Sequence, residues 1–392
     1  MGSEVLFLLL PLAALSGWLI ARRGESRRQQ RLCRKMTDGY FAGLNHLLTD
    51  REDEAIEEFL KLCHADSETV EIHFALANLF RRRGEVERAI HIHQNLIARP
   101  ALQRHQHNRA LLELAHDYFK AGLFDRAESL LLDIGDEPRL KAESLKQLQK
   151  IYQQEHEWER AIQIATLRLK DNPAAALPLS HYYCEQALSD LQKAERRLAL
   201  VALNTAVKVA PGSVRATLLL GEVYQQSQDY AAAVAAYERV EHQDRELLTE
   251  IVSPLCRCYE LMASAHSQPS LLDKLTVYLK GLLERQPQPA LAVAIAQYRF
   301  PLAVQSQVHQ LLEQFFLNTP SLHGVRFLIE RWIEQSGRVT PPTSLQRLQW
   351  VVNKISESGN IYLCHHCGFE AKTLYWLCPG CKQWSTIKPY VR

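Results

Sequence analysis

Residues 70–100 read VEIHFALANLFRRRGEVERAIHIHQNLIARP. A small residue, Ala77, is followed by an aromatic three positions later, Phe80, and by Ala89 nine positions beyond that. Gly84 supplies a residue free to turn tightly between the two halves, and Pro100 stops the second half. The same spacing recurs outward along the chain as Ala115, Tyr118 and Ala127, as Gln149, Tyr152 and Ala161, and as Gly221, Tyr224 and Ala233. Gly43 and Ala55 keep the outer two positions, and Pro173 and Pro211 close further units. Self-similarity at one period marks a repeat architecture, in which no unit buries its apolar face alone. In this alignment the units begin near residues 36, 70, 108, 142, 180 and 214.

The pattern resembles the tetratricopeptide repeat, two antiparallel helices per unit. The small residues belong where helices cross closely, and the aromatics fill the gap to the next helix. The expected fold class is all-α: a superhelical solenoid with about six repeats over 36–248. Helices at 250–262, 271–285, 290–299, 302–317, 322–335 and 344–357 make 249–358 read as degenerate repeats, with Thr343 and Gln346 as a capping box opening the last one.

Composition agrees with helices. The chain has 392 residues, 47% hydrophobic and 23% charged, with only 16 glycines. This excludes a disordered chain and disfavours an all-β one. A formal net charge of +2 gives no reason to expect a nucleic-acid binder.

The charge is unevenly spread. Val5 to Ala21 is 17 residues without a charge, about 25 Å as a helix, near the lower limit for spanning a bilayer. Seven basic residues against the single acid Glu25 follow at 22–35. A cleaved signal peptide carries its positive charge before the apolar run; here Glu4 stands before it. The expectation is an uncleaved transmembrane anchor over 1–21 with Trp18 near the interface, a basic juxtamembrane segment over 22–35, the N-terminus periplasmic and the body cytoplasmic by the positive-inside bias.

A solenoid of this kind binds other chains along the face of its first helices. In this register that face carries Phe74, Asn78, Arg81 and Arg82, then Arg109, His116 and Lys120, then Lys146 and Lys150. The reading is a basic groove for an acidic peptide.

Of nine cysteines, Cys63, Cys184 and Cys256 fall on apolar helical positions and read as core. Cys33 has no evident role. Cys364-x-x-Cys367 and Cys378-x-x-Cys381 differ: two such knuckles converge four thiolates on one ion, a closed site with no open position. One metal ion is expected over 359–392, with zinc favoured and iron the alternative. His365 and His366 read as exposed loop residues. Phe369, Tyr375, Trp376 and Trp384 give this module a small apolar face, expected to dock on helix 344–357.

No phosphate loop, nucleophile elbow or H-E-x-x-H is present. His91 and His93 do not share a helical face, and His105 and His107 are expected in a loop. An enzyme is therefore not expected. An adaptor is favoured, with an iron-ribbon electron-transfer or redox-sensing protein as the alternative.

Three stretches together, LFLLLPLAALSGW, NLFRRRGEVERAIHIHQNL and CGFEAKTLYWLCPGCKQWSTIKP, resemble the lipopolysaccharide assembly protein B family of Gram-negative bacteria. In that family the four cysteines belong to a rubredoxin-like module, and they map onto Cys364, Cys367, Cys378 and Cys381. The resemblance implies an inner-membrane adaptor that presents the lipid A pathway deacetylase (LpxC type) to a membrane-bound ATP-dependent zinc protease (FtsH type) and is linked to an inner-membrane lipopolysaccharide sensor. Self-association as a homodimer is left open.

Overall fold

A computed structural model describes residues 51–65, 70–100, 102–135, 137–335 and 362–390, with isolated positions at 39–49 and 348–352. The expected anchor 1–21, the basic segment 22–35 and Cys33 lie outside the described residues, as do Thr343, Gln346 and most of 344–357. Among the described residues no helix is long and apolar enough to cross a membrane. The chain forms two compact units, one ending at Glu155 and one beginning at His156.

In the first unit α1 (Glu52–Ala65) packs on α2 (Val70–Arg82). Helix α2 pairs with α3 (Val86–Ile97), α4 (Arg104–Lys120) pairs with α5 (Phe124–Leu132), and α6 (Pro138–Gln154) closes the unit. The second unit opens with α7 (Trp158–Leu169). Helix α8 (Ala176–Gln192) pairs with α9 (Arg196–Val209), and α10 (Val214–Gln226) with α11 (Tyr230–Gln243). After a 3-10 turn, Arg245–Leu247, α12 (Leu248–His266) packs on α13 (Ser270–Arg285). Then follow α14 (Pro289–Gln297), α15 (Leu302–Asn318) and α16 (Leu322–Gln335). The chain is thus a mostly helical tetratricopeptide array whose C-terminal cysteine module adds a small sheet.

The turns between successive helices keep the period read from the sequence. Gly84, Gly122, His156, Ala194 and Gln228 all have positive φ, at spacings of 38, 34, 38 and 34 residues. Four of these turns also carry the 6→1 hydrogen bond of a Schellman ending, Glu85 N–H to the Phe80 carbonyl being the first. The small residues do what close crossing requires. Ala77, Ala89, Ala115, Ala127, Ala161 and Ala233 are fully buried. A Cβ added at Gly221 would stand 2.4 Å from the Tyr237 ring.

Helix starts depart from the expected unit starts by four residues in three units, because α4, α6 and α8 run 17 residues where α2 and α10 run 13. Local signals extend them. The Gln106 side chain accepts from the Gln103 N–H at 3.3 Å, Pro138 opens α6, and Asn172 caps the 3-10 turn that feeds α8. His105 and His107 therefore lie on α4, not in a loop.

The second unit's core runs from Val214 through α12–α15 to Phe316. The last element is a three-stranded antiparallel sheet, order β2-β1-β3, from β1 (Tyr362–Cys364), β2 (Glu370–Ala371) and β3 (Ile387–Pro389).

Candidate metal centre

Two knuckles of the same design present the four cysteines. In the first, the Gly368 N–H donates to the Cys364 carbonyl at 2.9 Å; in the second, the Lys382 N–H donates to the Cys378 carbonyl at 2.9 Å. Gly368 and Lys382, each just after the second cysteine of its pair, both have positive φ. Gly380 keeps the space clear: a Cβ there would come 3.3 Å from the Cys367 sulfur.

All four Sγ atoms lie within 4.8 Å of one another. Cys364 and Cys381 are 3.8 Å apart, and Cys367 and Cys378 3.6 Å. A tetrahedral ion with metal–sulfur bonds of about 2.3 Å needs sulfur–sulfur edges of about 3.8 Å, so the donors fit one ion. Burial works against ionising Cys364. The Thr386 hydroxyl, 3.3 Å from its sulfur, and the backbone N–H groups of Cys367 and His366 outweigh that and bring the thiol down to about 6. The Cys367 thiol is pushed upward: the Phe369 backbone favours its ionisation, but burial and the three neighbouring sulfurs oppose it. Four thiolates this close need a cation between them. Cys364 and Cys378 are buried and Cys367 is exposed. His365 and His366 are exposed and outside the sulfur cluster, and His366 faces Gln383 at 3.0 Å.

The ribbon, residues 362–389, sits on the first helices of the second unit. Trp384 stacks on His181 of α8, with ring centroids 4.4 Å apart and planes 12° apart, and meets Tyr182 edge-on at 6.1 Å. The Arg215 guanidinium of α10 lies 5.7 Å from the same ring. Ser385 Oγ is 2.8 Å from His181 Nε2. Lys388 pairs with Asp244, and the Tyr362 hydroxyl donates to Glu250 of α12 at 2.9 Å. Burial first, and the Arg215 charge second, bring His181 down to about 3. Trp376 packs against the unit's core, Phe369 belongs to the ribbon's own core, and Tyr375 is exposed. Among the described residues the module's apolar face meets α8, α10 and the start of α12, and most of 344–357, where docking was expected, lies outside them. His181, Asp244, Arg215 and Glu250 were missed because no local motif marks them.

The basic face is corrected in part. Phe74 is buried, with the Arg109 guanidinium 4.3 Å above its ring, and Arg109 pairs with Glu71 at 2.9 Å. Arg81 bridges Glu113 at 2.6 Å and Asp117 at 3.0 Å and also bonds Asn78. Asp117 in turn meets the fully buried His93 at 2.5 Å. Burial pushes the Glu113 carboxyl up, but His116 and Arg81 outweigh it and bring it down to about 2. Phe74 and Arg81 are therefore structural. Arg82, Lys120, Lys146 and Lys150 are exposed, with Lys146 3.5 Å from Glu143.

The chain matches the model of a rubredoxin metal-binding domain at 362–389 and tetratricopeptide-repeat models at 72–104 and 184–246. Among solved structures, the C-terminal part of a repeat protein from Cytophaga hutchinsonii is 14% identical with a TM-score of 0.43, covering 65% of this chain and 99% of that one. Lipopolysaccharide assembly protein B of Escherichia coli K12 is 34% identical over 387 residues, 98% of each chain. The protein of that name from Haemophilus influenzae is 33% identical over 401 residues, again 98% of each. At a third of positions identical over nearly the whole of both chains, the chain belongs to the lipopolysaccharide assembly protein B family.

Proposed function

We propose that this chain is a membrane-tethered, non-enzymatic adaptor that regulates lipopolysaccharide biosynthesis. It holds the lipid A pathway deacetylase for degradation by a membrane-bound ATP-dependent zinc protease and is restrained by an inner-membrane lipopolysaccharide sensor. The observation that carries the reading is the relationship to lipopolysaccharide assembly protein B over 98% of both chains. Three physical points support it. The uncharged run Val5–Ala21 and the basic stretch behind it suit a single inner-membrane span with the body in the cytoplasm. Tethering raises the local concentration of a soluble client beside a membrane protease. The exposed cations Arg82, Lys120, Lys146 and Lys150 suit an acidic client segment. Zinc is the ion assigned to the four cysteines, since a closed all-thiolate site on so small a ribbon serves folding.

The test is depletion in the native cells, followed by the half-life of the deacetylase after synthesis is blocked. Its half-life is expected to lengthen and its level to rise. An unchanged half-life would remove the adaptor reading.

A further inference from the structure

The ribbon touches the array through Tyr362, Leu374 and Trp376 and through one short segment, 384–388. Trp384 meets His181, Tyr182 and Arg215, Ser385 meets His181, and Lys388 meets Asp244. These partners belong to the first helices of two successive pairs and the turn that opens the next. Repeat arrays present this face to peptides, and here the chemistry of the face is specific. A flat imidazole stacks on an aromatic ring, a guanidinium stands near that ring, and a carboxylate takes an ammonium four residues further on. Two polar atoms of the face, Nδ1 of His181 and Nη1 of Arg215, are buried with no hydrogen-bond partner. Buried polar groups in a settled core are satisfied, so the face has more polar capacity than the ribbon segment uses.

The ribbon itself is weakly built. Its buried core is Cys364, Cys378 and Ile387 with a few half-buried neighbours, and its strands are two or three residues long. So small a module takes its folding energy from the ion.

We infer that the face formed by α8, α10 and the turn before α12 is a peptide-binding face, selective for a segment with an aromatic ring followed four residues later by a lysine, and that the ribbon's Trp384–Lys388 is its resident occupant, kept in place while the four cysteines hold their ion. This goes beyond the adaptor reading and does not depend on the identity of any client.

The probe is a fluorescein-labelled peptide of residues 382–390, titrated into the full chain with metal content measured in parallel. The metal-loaded chain is expected to exclude it. The chelated chain and a Trp384→Ala chain are expected to bind it at least about tenfold more tightly than the loaded chain does. His181→Ala, or alanine at the tryptophan of the peptide, is expected to abolish that gain. The Trp384→Ala arm keeps all four cysteines, so it decides the matter even if chelation also melts helices. The inference is overturned if Trp384→Ala, with its helical circular dichroism intact, gains no peptide binding, or if His181→Ala leaves the gain unchanged.

Discussion

Two polar clusters, one in each unit, tie successive first helices together, and they are built on different principles. In the first unit the tie is ionic. Arg81 of α2, Asp117 and Glu113 of α4 and His93 of α3 form one network, with Asp117 and His93 fully buried. In the second unit the tie is a foreign segment: Trp384 on His181, Arg215 and Tyr182, and Lys388 on Asp244. The first is encoded within 36 residues; the second joins positions 204 apart. A network inside neighbouring repeats forms with the array, whereas a contact delivered by a distant module forms only if that module is folded. Rigidity therefore belongs to the first unit's tie and conditionality to the second's.

The largest expected effect comes from cutting the ionic tie. Asp117→Ala leaves the Arg81 guanidinium with one fewer carboxylate and buried His93 with none, and removing one member of a buried pair costs about 3–5 kcal/mol. Glu113 still holds Arg81 at 2.6 Å, so the lower end, about 3 kcal/mol, is expected from urea unfolding followed by circular dichroism. Ion content should stay as it is, because the four cysteines belong to the other unit. A loss below about 1 kcal/mol would show the network to be ornamental.

Acid should separate the two ties in the opposite order. His181 has its folded pKa lowered to about 3 from an ordinary 6.5. The unfolded or undocked state therefore binds the proton first, and stability is full above pH 6.5 and drains as pH falls toward 3. At pH 5.5 the loss is about 1 kcal/mol. Glu113, lowered to about 2 from 4.5, keeps its contribution until pH drops below 4.5. Between pH 6.5 and 5 the ribbon contact should weaken while the ionic tie holds. This would be seen as a change in tryptophan fluorescence without loss of helical circular dichroism. His181→Phe, which stacks without titrating, should flatten that step, with ion content monitored to separate it from thiol protonation.

What the sequence disclosed follows the same division. The repeat register was legible because each unit restates it: the small residues at 77, 115 and 221, and turns that return every 34 or 38 residues. The cysteine knuckles were legible because their ligands are spaced within one turn. The ribbon's seat was not, because His181 and Trp384 have nothing local in common, and a histidine on an apolar helix face reads as core. Three residues of the groove were misread for a related reason. Phe74, Arg81 and Arg109 stand at face positions, yet Glu71, Glu113 and Asp117, remote in sequence in all three pairings, neutralise the cations, and Arg109 covers the ring. Charge counted along a helix cannot register a carboxylate supplied by the next one.

The smallest expected effect tests the turns that both units share. Gly84 and Gly122 take positive φ without cost, whereas Ala194 and Gln228 take it against their own Cβ, at about 1 kcal/mol each. Nothing lies within 4 Å of a Cβ built on Gly84, so Gly84→Ala meets no steric clash and its penalty is conformational alone. It should lower stability by about 1 kcal/mol, offset in part by the stiffer unfolded chain. Ala194→Gly should do the reverse and raise the urea midpoint by about 0.5 kcal/mol equivalent, since the relief of strain exceeds the entropy glycine adds. If Ala194→Gly destabilises instead, the left-handed turn in the second unit is held by its neighbours and not by its own backbone. The resemblance between the two units' turns would then be one of shape and not of energetics.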